Sequence, residues 1–87
     1  MIFISLFKFR QKPTKENIAE SSKLFEIEKK EGIKYLGMYW TLGRYDAVAI
    51  VEAKDEKTAM KIAISRGWLT YETLVAVPAE EARKLVE

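Results

Sequence analysis

The segment Ile2 to Phe9, IFISLFKF, sends Ile2, Ile4 and Leu6 to one side of an extended chain and Phe3, Phe7 and Phe9 to the other. A strand apolar on both faces belongs in the middle of a sheet, with each face covered by something. That requirement constrains the rest of the chain, which must provide neighbouring strands on both edges and cover for both faces.

The remaining segments supply most of this. Pro13-Thr14 marks a helix start, with Thr14 as N-cap and Glu16 in the first turn, where a carboxylate favours the helix dipole. From there to about Glu31, Ile18, Leu24, Phe25 and Ile27, with small Ser21 and Ser22, predict one helical stripe that Gly32 ends. Ile33 to Leu42 reads as a strand, Gly43-Arg44-Tyr45-Asp46 breaks it, and Ala47 to Ala53 resumes it, which is a hairpin. Asp55 caps a second helix through Arg66 with Ala59, Ile62 and Ala63 on one face, and Gly67 ends it. Thr70 to Val77 is a fourth strand, and Pro78 opens a short charged helix, Ala79 to Val86. The order β-α-β-β-α-β predicts an α+β, ferredoxin-like domain over residues 1–87, with a four-stranded antiparallel sheet and two helices on one face.

Two helices leave the second sheet face uncovered, yet the first strand is apolar on that side too. Tyr35, Leu36, Met38, Tyr39 and Trp40 add few polar breaks. An exposed apolar face of several hundred Å² is an association surface (of the order reserved for binding sites). The expected cover is a second copy of the chain, because two-fold homo-oligomers predominate. The space between two such sheets is either solid core or a ligand cavity.

Composition narrows the chemistry. The chain has no cysteine and no histidine, which removes disulfides, thiolate metal sites, cysteine nucleophiles, the commonest general base and the usual haem ligand. No metal or cofactor is expected, and the lack of cysteine suits a cytoplasmic protein. A net charge of +2 is too small to predict nucleic-acid or anionic-membrane binding. The apolar start is broken by Ser5 and followed by Lys8 and Arg10, so neither a secretion signal nor a membrane span is read. Gln11 and Asn17 are the only side-chain amides beside many Lys and Glu, a bias that suits a thermophilic source.

Trp40-Thr41-Leu42-Gly43-Arg44-Tyr45-Asp46-Ala47-Val48-Ala49-Ile50-Val51 resembles the defining stretch of the GYD domain family. Ile4-Ser5-Leu6-Phe7-Lys8-Phe9 and Thr70-Tyr71-Glu72-Thr73-Leu74 are similar to that family as well. The resemblance spans nearly the whole chain and implies a small prokaryotic protein of the dimeric α/β-barrel superfamily. The same turn resembles the effector-binding domain of leucine-responsive/AsnC-type regulators, which bind amino acids at subunit interfaces. This chain lacks their helix-turn-helix.

Within the turn, Gly43 is read as a positive-φ residue and Asp46 as an acceptor for turn amides. The functional reading has Arg44, Tyr45 and Asp46, with Tyr39 and Trp40, edging a cavity between paired sheets and orienting a carboxylate ligand. The plainer reading is turn chemistry and aromatic packing alone. An RNA-recognition role would need stacking aromatics on the third strand, where Ala47-Val48-Ala49-Ile50 has none. Asp46, Glu52 and Glu72 are the carboxylates beside the sheet that acid/base work would need to bring together. Three functions follow in order of preference: a homo-oligomeric small-molecule-binding or sensing module, a cofactor-independent monooxygenase- or isomerase-like enzyme, and a purely structural or protein-interaction module. Self-association and a small organic ligand are expected as partners, nucleic acid and membrane are not, and no reaction is assigned.

Overall fold

The computed structural model describes residues 1–87. Its elements run β1 (Ile2–Phe9), α1 (Lys15–Lys30), β2 (Lys34–Trp40), β3 (Ala47–Glu52), α2 (Glu56–Ile64), β4 (Leu69–Ala76) and α3 (Ala79–Arg83), followed by a 3-10 turn over Lys84–Val86. The sheet is antiparallel throughout, in the order β2-β3-β1-β4, the ferredoxin-like arrangement. β1 lies between β3 and β4, as its two apolar faces require.

Alternation assigns the faces. Phe3, Ser5 and Phe7 of β1 are buried toward the helices, opposite Val51, Ala49 and Ala47 of β3. Ala47 and Ala49 sit between Phe7 and Ser5 on one side and Trp40 and Met38 on the other, so small residues make room for larger neighbours. Ala59 and Ile62 of α2, Ile33, Ala53 and Leu69 complete this core. Ile2, Ile4, Leu6, Val48 and Ile50 point to the other face and are half-buried by one another.

Helix boundaries follow local chemistry. The Thr14 hydroxyl accepts from Asn17 N at 3.1 Å and Asn17 Oδ1 accepts from Thr14 N at 3.0 Å, a reciprocal cap. Asp55 caps α2 by accepting from Thr58 N at 2.9 Å. Helix α2 stops at Ile64 rather than running on to Arg66, although Arg66 N still bonds Ala63 O. The covered line of α1 also differs from the expected stripe. Ile18 and Ile27 remain about half exposed, and Ser21, Leu24, Phe25 and Glu28 face the sheet at i, i+3, i+4 and i+7. The last of these positions is taken by a carboxylate because Arg66 waits beneath it. A bulge in β2 between Tyr35 and Gly37 shifts the register by one residue. No helix is long and apolar enough to cross a membrane.

Candidate functional site

The turn between β2 and β3 is fastened to the sheet at several points. Gly43 has φ +105°, a region that side chains with a Cβ rarely adopt. Thr41 N donates to Asp46 O at 2.8 Å and the Thr41 hydroxyl to Tyr45 O at 2.7 Å. Asp46 N donates to Phe7 O at 3.0 Å, and Asp46 Oδ2 accepts from Phe9 N at 2.8 Å. These bonds tie the turn to the end of β1, and they commit one oxygen of the Asp46 carboxylate to the backbone.

Tyr45 lies just before β3, yet its hydroxyl donates to Glu72 Oε2 on β4, with β1 in between. Glu72 pairs with Leu6 and therefore shares the open face with Ile2 and Ile4. The bond to Glu72 holds the Tyr45 phenol above its ordinary pKa. The Arg44 guanidinium stands 5.8 Å from the centre of the Tyr45 ring. Arg44, Tyr45 and Glu72 thus make a polar border at one end of an apolar face.

That face carries Ile2, Ile4 and Leu6, Val48 and Ile50, with Leu74 44% and Tyr39 58% exposed. The Tyr39 ring lies over Gly37, where an added Cβ would come within 3.0 Å of it. Charges are confined to the ends: Lys34 opposite Glu52 at one end, and Lys8, Arg44 and Glu72 at the other.

The five residues proposed from sequence do not form one cluster. Tyr39 pairs with Val48 and stands on the open face, whereas Trp40 pairs with Ala47 and turns toward the helices, its ring 5.1 Å from that of Phe9. Arg44 and Tyr45 border the open face, and Asp46 is occupied by Phe9 N. The carboxylates do not converge either. Glu52 pairs with Ile2 and Glu72 with Leu6, so roughly 13 Å of β1 separates them.

Sequence reasoning missed the polar centre on the helix side. Arg66 and Glu28, 2% and 6% exposed, form a two-pronged ion pair with both N–O distances 2.7 Å. The Tyr35 hydroxyl donates to Glu28 Oε1 at 2.7 Å, and the Arg66 guanidinium lies 5.0 Å from the Phe25 ring centre. Burial pushes the Tyr35 phenol well above its ordinary pKa, and burial raises Tyr71 as well. The only sequence signal was the i+7 position of Glu28 relative to Ser21.

The "Glutamine synthetase and cystathionine beta-lyase binding protein" of Thermus thermophilus is 39% identical over 59 residues. The match covers 64% of this chain and 62% of that protein, so under two thirds of the relative is represented. The GYD domain family model matches residues 3–86, and the fastened Gly43-Arg44-Tyr45-Asp46 turn lies within that span: this chain belongs to the GYD domain family.

Proposed function

We propose that this chain is a self-associating binding module in which the open faces of two sheets pack together, with Arg44, Tyr45 and Glu72 bordering the space between them. The observation that carries this reading is the continuous apolar face of Ile2, Ile4, Leu6, Val48, Ile50 and Leu74 on a sheet whose other face already holds the helices. A second copy suits it. The face is uncharged at its centre, and each end carries side chains of both signs. Its plan area is roughly 450 Å² per copy, so a pair removes on the order of 1,000 Å², enough for a specific interface.

The name of the Thermus relative, a binding protein for two enzymes, supports other proteins as partners of the dimer. The guanidinium of Arg44, which makes no ion pair, supports an anionic group at the border as the point of recognition. We place the module in the cytoplasm, in keeping with a chain free of cysteine.

Sedimentation equilibrium at micromolar concentration tests the reading. Wild type is expected at twice the mass of one chain, and Leu74→Lys, at a position already solvent-exposed, is expected to sediment as one chain with its circular dichroism unchanged. A wild-type protein that sediments as a single chain refutes it.

A further inference from the structure

Each outer strand of the sheet has one backbone edge without a neighbour, and the two edges differ. β2 blunts its edge with Lys34, Gly37 and the bulge between Tyr35 and Gly37. β4 does not. It pairs with β1 residue for residue from Leu69 to Ala76, with no bulge, proline or lysine, so its alternate N–H and C=O groups point outward unpaired. Its one charge, Glu72, is held over the sheet by Tyr45. The edge is apolar on both sides, with Leu74 44% exposed toward the open face and Val75 60% exposed toward the helices.

On the helix side of this edge, a groove of about 230 Å³ lies between β4 and α2. Phe3, Thr73 and Val75 form its floor, and Met60 and Ala63 its wall. Met60 and Ile64, one turn apart on α2, are 63% and 79% exposed, so the helix carries an apolar row outside the one that meets the core. Glu56 is the only charged residue of the groove and is in no ion pair. The nearby Lys54 and Lys57 belong to a different surface, which they share with Glu31 and Lys61.

We propose that the outer edge of β4 accepts an extended segment of a partner protein as a fifth strand, with aliphatic side chains at alternate positions and a lysine or arginine at one end. The unpaired backbone groups require an extended chain, since only that presents N–H and C=O groups in the same repeat. Alternate side chains of such a strand enter the groove over Thr73 and Val75, where Met60 and Ala63 present apolar surface. The basic residue answers Glu56, at the end of the sheet where α2 starts and β4 finishes. A second copy serves this edge less well. Two-fold pairing of β4 with itself sets the start of one α2 beside the end of the other, where Ile64 is apolar and Arg66 is already held by Glu28, so Glu56 gains no counter-charge. The groove lies on the helix side of the sheet, so its use is independent of how the open face is covered.

The probes are three peptides with acetylated and amidated ends: TITITKT, its acidic form TITITET and its interrupted form TITPTKT. Each is titrated into ¹⁵N-labelled protein while the backbone amides are followed. TITITKT is expected to shift alternate amides of Leu69–Ala76 to saturation, those not bonded to β1. TITPTKT is expected not to bind, because proline removes a ladder donor. TITITET is expected to bind about 2- to 30-fold more weakly, an exposed ion pair being lost and a like-charge contact of similar size gained. Glu56→Gln should bring those two peptides closer in affinity. Val75→Lys, at an exposed position, should abolish binding while the sedimenting mass of the protein stays that of wild type. No saturable shift with TITITKT, equal binding of TITPTKT, or equal binding of TITITKT and TITITET to wild type overturns the proposal. A mass that falls in Val75→Lys also overturns it, and gives the edge to a second copy.

Discussion

Arg66 and Glu28 stand 38 residues apart and meet in a dry environment, so replacing Arg66 by Met probes what the pair does for the fold. The substitution keeps most of the side-chain volume but leaves the Glu28 carboxylate, 6% exposed, with the Tyr35 hydroxyl as its remaining partner. Breaking a buried pair from one side costs about 3–5 kcal/mol, because the surviving charge is uncompensated. A chain of this length has a total stability of roughly 4–13 kcal/mol, so the variant should lie near the edge of folding. Removing the charge as well should reverse most of the loss. Glu28→Leu combined with Arg66→Met replaces the pair by apolar volume, which is often neutral or stabilising by about 1–4 kcal/mol. The Tyr35 hydroxyl is then without its acceptor at a cost of about 1–3 kcal/mol, and Tyr35→Phe in the triple variant should recover it. Urea unfolding followed by far-ultraviolet circular dichroism measures each step as a change in midpoint at constant slope. An Arg66→Met loss below about 1 kcal/mol, or a double variant no more stable than the single one, would refute the reasoning.

Other predictions follow from the turn, the tyrosines and the helix cap. Gly43→Ala should lose about 1–2 kcal/mol of stability in the same urea assay, from backbone strain at φ +105° rather than from a clash, since no atom lies within 4 Å of an added Cβ. An unchanged midpoint would remove the strain argument. Burial holds the Tyr35 and Tyr71 phenols above their ordinary value, as the Glu72 hydrogen bond does for Tyr45. Above about pH 10 the unfolded chain then gives up protons that the folded chain keeps, so stability falls as pH rises through that region and not below it. Absorbance at 295 nm should show these ionisations arriving together with unfolding; independent ionisation of a folded chain near pH 10 would contradict this. The Thr58 hydroxyl and N–H hold the Asp55 carboxyl below its ordinary value of 3.8. Its contribution is present above that pH and is lost as the pH falls below it, so Asp55→Ala should flatten the acid limb of the stability profile. An acid limb identical to wild type would show that the cap does not contribute.

The strands were readable in the sequence because period two is visible in single residues. Ile2, Ile4 and Leu6 against Phe3, Phe7 and Phe9 separate the two faces of β1 without any knowledge of its neighbours. Thr14, Asp55 and Gly32 act within a few residues of their own positions, so the helix ends were legible for the same reason. What could not be read depends on contacts across the fold. Glu28 lies in the run Glu26-Ile27-Glu28-Lys29-Lys30, whose local chemistry is that of a wetted helix surface; only its placement over Arg66 makes it interior. Tyr39 and Trp40 look like one aromatic site in sequence, yet neighbours on a strand face opposite ways, and the bulge after Tyr35 decides which goes where. Nothing near Tyr45 in sequence names Glu72, 27 residues on, as the partner of its hydroxyl.

Solution X-ray scattering tests most directly whether the open faces meet. One chain has a radius of gyration of 14.0 Å and extents of 49 × 32 × 18 Å. Two sheets packed face to face at ~10 Å put the centres of the copies ~20 Å apart and give a radius of gyration of about 17 Å at the mass of two chains. Pairing edge to edge through β2 or β4, the sheet's outer strands, separates the centres by about the 32 Å extent and gives ~21 Å or more at the same mass. A value near 17 Å with the mass of two chains is the expected result. A value of 21 Å or above at that mass, or about 14 Å at the mass of one chain, would contradict the proposal that the apolar face of β1 is covered by a second copy.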